Sequence, residues 1–263
     1  MAGTQTLQVQ THTQGAVPED AVDLAVIRVR AQLRAASEPV LFARVKLTMA
    51  ADPAVERPAI AQVNVDLNGR PIRAQATGET MREAIELMCD RLRVQLEKAE
   101  RNWAGIRGGL PLDEPGEWRH QSIPAQRKPY YPRPLEERGI VRHKSYGLAE
   151  MTPDEAVAEM ELLDYDFHLF TELSSHEDSV IYRTDEGYRL AQVHPKPARV
   201  GPIAGQITIS EVPAPRLDVS EAITRLEAFG EPFMFFVNEQ TGRANLIYHR
   251  YDGDYGLITP ADG

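Results

Sequence analysis

The chain has 263 residues, 42% of them apolar and 26% charged, enough for two folded domains of ordinary soluble composition. No apolar run approaches the ~18–20 residues of a membrane-spanning helix, and Met1–Gln14 has no basic-then-apolar leader pattern. A lone cysteine, Cys89, excludes an internal disulfide and fits a reducing cytoplasm; it reads as a small buried hydrophobe. The net charge of −10 is unevenly spread. Residues 1–110 carry 14 Lys+Arg and 13 Asp+Glu, residues 111–146 carry 7 and 5, and residues 147–263 carry 8 and 21. A near-neutral first domain can bind nucleic acid only through the arrangement of its arginines.

Residues 5–103 read as β-α-β-β-β-α. Leu7, Val9 and Thr11 alternate with Gln8 and Gln10 as a short strand. Pro18 and the acidic Glu19, Asp20 and Asp23 open a helix on which Val22, Val26, Val29 and Leu33 recur. Leu41, Ala43, Val45 and Leu47 are expected to face one way from a half-buried strand, with Phe42, Arg44, Lys46 and Thr48 facing the other. Asn68-Gly69 is a hairpin signal between residues 60–67 and 71–76. Thr80 with Glu83 forms a capping box for a long helix with Met81, Ile85, Met88, Leu92 and Leu96 on one face. Both helices are expected on one side of an antiparallel four-stranded sheet.

Residues 106–138 read as a flexible Pro/Gly-rich linker in which Trp118, Tyr130 and Tyr131 stand beside Arg119, Arg127 and Lys128. Beyond it the sequence repeats. Glu155-Ala156-Val157 returns as Glu221-Ala222-Ile223, Phe167 as Phe233, Phe170 as Phe236, and Val180-Ile181-Tyr182 as Leu246-Ile247-Tyr248, each 66 residues on (221 − 155, 248 − 182). After one gained residue, Tyr188 and Leu190 match Tyr255 and Leu257. Each copy, 139–196 and 206–263, reads as strand, helix, then strands. The fold class is α+β, a β-α-β-β-β-α domain linked to a tandem-repeat α+β domain.

Three segments carry a family resemblance. Asp90-Arg91-Leu92-Arg93-Val94-Gln95-Leu96-Glu97-Lys98 resembles a basic helix of the form Asp-Lys-Leu-x-x-Gln-x-x-Lys. Ile140-Val141-Arg142-His143-Lys144 followed by Met151–Ala156 resembles the start of a C-terminal domain, and Tyr248–Pro260 its end. Together they resemble the long-form ribosome hibernation promoting factors, related to the ribosome-associated inhibitor protein Y. The resemblance implies a non-enzymatic translation regulator whose first domain occupies the decoding region of the ribosomal small subunit, against 16S rRNA, and excludes mRNA and tRNA. Its implied place is the cytoplasm, on the ribosome, with ribosomal proteins of the platform as further partners and with no cofactor, metal, membrane or DNA.

By charge pattern alone, the basic helices read as solvated faces, since Glu97 and Glu100 are interspersed. The resemblance makes Arg28, Arg30, Arg34, Arg44, Lys46, Arg91, Arg93, Lys98, Arg101 and Arg107 candidate RNA-binding residues, because guanidinium forks suit phosphate. The usual long form has one C-terminal unit, which homodimerises and joins two ribosomes into a 100S particle. Here the unit is duplicated, so the expectation is a monomer with an intramolecular pseudo-dimer on 70S ribosomes. Its inter-repeat contact is expected at Phe167, Phe170, Phe233, Phe235 and Phe236. The alternatives are a protein-interaction adaptor with weak RNA affinity and a conventional 100S-forming factor. Asp164-x-Asp166-x-His168 lacks a second ligand cluster and reads as a polar strand face.

Overall fold

A computed structural model describes residues 9–51, 57–108, 135–146, 148–250 and 253–260; the side chains of residues 100–108 and 144–146 fall outside the description. Of the expected linker 106–138, residues 106–108 continue a helix and Leu135–Glu137 form a short 3-10 helix, whereas 109–134, with Trp118, Arg119, Arg127, Lys128, Tyr130 and Tyr131, lie outside the described residues, as does Leu7. The chain forms two compact units.

In the first unit, β1 (Val9–Gln14), α1 (Glu19–Arg34), β2 (Val40–Met49), β3 (Ala59–Leu67), β4 (Arg70–Gly78) and α2 (Met81–Gly108) follow in order. The four strands lie in the order β1-β2-β3-β4. The hairpins β2–β3 and β3–β4 are antiparallel, whereas β1 runs parallel to β2, so the sheet is mixed where an antiparallel one was expected. The helical crossover α1 between β1 and β2 is the connection that parallel pairing requires. Asn68 and Gly69, with φ of 54° and 86°, make the two-residue turn that matches strand twist. The capping box at α2 is partly as expected: Glu83 N–H donates to Thr80 Oγ1 at 3.2 Å, but the Glu83 carboxylate accepts from Glu79 N–H at 2.8 Å.

One apolar core joins both helices to one sheet face. Ala43, Val45, Leu47, Ala59, Ala61, Val63, Leu67, Ile72 and Ala74 come from the strands; Ala25, Val29, Ala84, Ile85, Met88 and Leu92 come from the helices. The alanines on β2, β3 and β4 let the helices approach the sheet closely. Leu41 departs from the expectation. A register shift between Val40 and Phe42 turns it outward, and it is 64% exposed.

Both repeats, except residues 161–165, belong to the second unit. The first copy is β5 (Ile140–Tyr146), β6 (Glu150–Met151), α3 (Pro153–Leu162), β7 (Phe167–Glu172), β8 (Glu177–Thr184) and β9 (Gly187–Gln192). The second is β10 (Ile207–Ile209), β11 (Arg216–Leu217), α4 (Val219–Phe229), β12 (Phe233–Asn238), β13 (Ala244–His249) and β14 (Tyr255–Pro260). Matching capping boxes start the two helices, Thr152 with Glu155 and Asp218 with Glu221.

The two five-stranded sheets exchange their leading strands. Their orders are β10-β9-β8-β7-β6 and β11-β12-β13-β14-β5. Thus β5, from the first copy, pairs parallel with β14 of the second, and β10, from the second, pairs parallel with β9 of the first. The exchanges correspond: Ile140 lies beside Tyr255 as Ile207 lies beside Tyr188. Neither sheet is complete without a strand from the other repeat.

Candidate nucleic-acid interface and the paired repeats

Helical spacing sorts the candidate cations of the first unit into groups. On α2, positions 82, 86, 89 and 93 fall on one flank, and positions 91 and 98, about two turns apart, on the opposite one. The first flank faces α1, because Arg28 lies close enough to the Cys89 thiol to act on it electrostatically. Burial dominates that thiol all the same and raises its pKa to about 11, with smaller contributions from Arg28 in one direction and Asp90 and Glu86 in the other. Arg93 lies one turn along α2 from Cys89, on the same flank, and is 3.4 Å from Glu97.

Arg91 and Lys98 occupy the other flank of α2, where Arg91 donates to the Gln75 carbonyl of β4. Arg30 and Arg34, one turn apart, lie on the side of α1 away from Arg28. Arg44 and Lys46 lie on the helix-free face of the sheet, beside Gln10 and His12 of β1. Arg44 donates to Gln10 Oε1 at 3.2 Å, and its guanidinium sits 5.2 Å from the Phe42 ring centroid. Of the eight candidates whose side chains are described, Lys98 is held in a nearly buried ion pair with Glu161 at 2.8 Å, and the other seven are presented in several directions, on rigid elements. Arg101 and Arg107 lie on the last turns of α2, and their side chains are outside the described residues.

In the second unit the two sheets pack face to face through Leu169, Val180, Val193, Phe235, Val237, Leu246 and Ile258. At one end sit four rings. Phe167 and Phe233 are 4.9 Å apart, Phe167 and Tyr248 5.4 Å, and Phe233 and Tyr182 5.3 Å. Each repeat's Phe contacts the other repeat's Tyr, the reciprocal pattern of a twofold interface. Gly256 is required beside this cluster, because a Cβ there would overlap the Tyr248 ring.

Among the expected contact residues, Phe167, Phe233 and Phe235 belong to this interface, and Phe170 and Phe236 do not. Phe236 packs with Leu217, Ala222 and Leu226 beneath α4. Phe170 shares its face of β7 with His168, which stacks on it at 6.3 Å and lies 3.9 Å from Glu159 of α3. Side chains alternate along a strand, so positions 167 and 170 point to opposite faces, as do 235 and 236. The same parity rule places Tyr182 and Tyr248, absent from the expected set, inside the interface.

A polar cluster that the sequence reading missed ties β5 to the second repeat. Arg138, just before β5, donates to Glu227 Oε1 of α4 at 2.6 Å; the Tyr255 hydroxyl donates to the same oxygen, and His249 Nε2 lies 3.7 Å from it. Burial opposes the Glu227 charge, but the hydrogen bonds from Tyr255 and Arg138 outweigh it and hold the carboxyl below its usual range. Burial, then Glu227, pushes the Tyr255 phenol up to about 12. Burial holds His249 below its ordinary value despite Glu227. The corresponding segment before β10 is held differently: Asp154 accepts from Ala204 N–H at 2.8 Å and Gly205 N–H at 3.0 Å.

The family model described as "Sigma 54 modulation/S30EA ribosomal protein C terminus" matches twice, at residues 136–190 and 207–257. The model "Sigma 54 modulation protein / S30EA ribosomal protein" matches residues 39–103. The "Dormancy associated translation inhibitor" of Mycobacterium tuberculosis is 35% identical over 83% of this chain and 76% of that protein. The "Ribosome hibernation promotion factor" of Picosynechococcus sp. is 30% identical over 50% of this chain and 68% of that protein. The crystal structure of the Thermus thermophilus protein Y N-terminal domain is 20% identical over 35% of this chain and 98% of that chain, with a TM-score of 0.30. With the N-terminal match, the doubled C-terminal match and a relative this similar over most of its length, the chain belongs to the long-form ribosome hibernation factor family, with its C-terminal domain duplicated.

Proposed function

We propose that this protein silences single 70S ribosomes. In this reading the first domain binds 16S rRNA in the decoding region of the small subunit and blocks mRNA and tRNA. It acts by occupancy, without catalysis. The names of its relatives, a translation inhibitor and hibernation promotion factors, support the inhibitory role. Arginines presented in several directions from one rigid unit suit a pocket lined by RNA backbone on more than one side.

The single observation that carries the 70S part is the reciprocal exchange of β5 and β10 between the two sheets. In this reading, the second copy occupies the interface that a one-copy unit would offer to a second chain. The tandem unit, strongly acidic over residues 147–263, attaches in this reading to the small-subunit platform through protein and local contacts.

Competition tests the proposal. Small subunits are loaded with labelled mRNA and initiator tRNA with and without the protein, and retention on filters is measured. Loss of both ligands in proportion to bound protein is expected. Full retention of both alongside bound protein would remove the decoding region from the account.

A further inference from the structure

We propose that the outer edge of β5 docks an extended acidic polypeptide segment, which adds to the sheet as a further strand. Four strand edges bound the two sheets of the tandem unit. Three are short: β10 has three residues and β6 and β11 two each, the usual protection against stray pairing. The fourth, β5, has seven residues, and among the described residues no strand pairs with its outer side. Ile140 and Val141 on it are 40% and 56% exposed. Its next residues are Arg142, His143 and Lys144, a cationic run leading into a region with 8 basic and 21 acidic residues. Arg142 and His143 are exposed, and His143 is fixed by Thr259 Oγ1 at 3.0 Å.

The duplication supplies an internal comparison. A bulge between Tyr255 and Gly256 shifts the register, so Arg142 lies beside Gly256 as Thr208 lies beside Arg189. In that alignment Arg142-His143-Lys144 corresponds to Thr208-Ile209-Ser210, and Ser145 and Gly147 correspond to Glu211 and Pro213. The second copy has lost the cations and ends its edge with an acid and a proline, which cannot donate to a ladder. The first copy keeps a long edge and makes it basic.

The charge selects the occupant. A second copy of this chain laid antiparallel on β5 would set its cations against themselves, which disfavours self-pairing. An RNA strand would use the cations but could not pair with the row of main-chain N–H and C=O groups. An acidic strand satisfies both.

The test uses the full chain and a fluorescein-labelled, end-capped octapeptide of alternating Glu and Val, followed by anisotropy. Three competitors of equal length serve as comparison: a Lys/Val peptide, the Glu/Val peptide N-methylated at alternate amides, and an oligouridine. The Glu/Val peptide is expected to bind at least ~10-fold tighter than each. Arg142→Glu with Lys144→Glu should reverse the preference toward Lys/Val. In the wild-type chain, saturating Glu/Val peptide should slow hydrogen exchange in β5 and leave β10 unchanged. Equal binding of the N-methylated peptide would reduce the contact to charge alone, tighter binding of oligouridine would make the edge a phosphate site, and unchanged β5 exchange would place the peptide elsewhere; each overturns the proposal.

Discussion

Replacing Phe233 with Ala probes whether the two repeats are one cooperative body. The ring contacts Phe167 at 4.9 Å and Tyr182 at 5.3 Å, both in the other repeat. Each aromatic pair contributes ~0.5–1.5 kcal/mol beyond area burial, so their loss costs about 2 kcal/mol. Because the side chain is half-buried, the lost apolar burial adds about 1 kcal/mol, less than for a fully enclosed ring. The sum, about 3 kcal/mol, lies at the low end for Phe→Ala in a core. Hydrogen exchange of the slowest amides in β8 and β13 reads it directly, with an acceleration of roughly 100-fold. The two sheets share the core, so both strands should accelerate together. A double cycle with Phe167→Ala should show coupling of about 1 kcal/mol. Acceleration confined to β12 and β13, with β8 untouched, would refute a shared fold.

Acid should loosen the tandem unit. His168 and His249 both titrate below their ordinary 6.5, chiefly through burial, so as pH falls below 6.5 the unfolded chain takes protons that the folded chain refuses, and stability drops. Burial opposes the charges of Glu172 and Glu227, but hydrogen bonds hold both below 4.5, so their contribution is present above that value and lost as pH falls through the folded values. The unfolding midpoint should therefore decline from pH 7.5 to pH 5, and a rise would contradict the burial of both imidazoles. Arg28→Glu with Arg93→Glu should weaken ribosome association and lower the slope of log affinity against log salt by about 1.5; an unchanged slope removes both from phosphate contact. Cys89, buried and with its thiol raised to about 11, should react with a thiol reagent at pH 8 at least ~100-fold more slowly in the native protein than in urea. Rapid native labelling would mean that the α1–α2 groove opens.

Local chemistry made much of the fold legible. Asn68-Gly69 fixed a hairpin, Thr152 with Glu155 fixed a helix start, and the 66-residue repeat marked two equivalent units. What failed were facts of register and long-range pairing. The outward turn of Leu41 depends on a bulge against β3, which alternation along β2 alone does not reveal. The exchange of β5 and β10 joins segments over a hundred residues apart in one case, Ile140 with Tyr255, and no spacing rule encodes it. The misplacement of Phe170 and Phe236 was avoidable, since positions of opposite parity cannot share a strand face. The cluster of Arg138, Glu227, His249 and Tyr255 left no local trace, because its members come from four separate segments. In the first domain, alternation along β2 set Arg44 and Lys46 on the face opposite the buried positions, but the flank each helix cation takes depends on how α1 and α2 pack.

Sedimentation of the purified chain with vacant ribosomes from its own source through a sucrose gradient tests the intramolecular pairing most directly. The account predicts that the protein migrates with 70S particles, leaves them more readily as salt is raised, and produces no 100S peak at any protein ratio. A 100S peak containing the protein would show that the tandem repeats still pair between chains, and would contradict the closed interface.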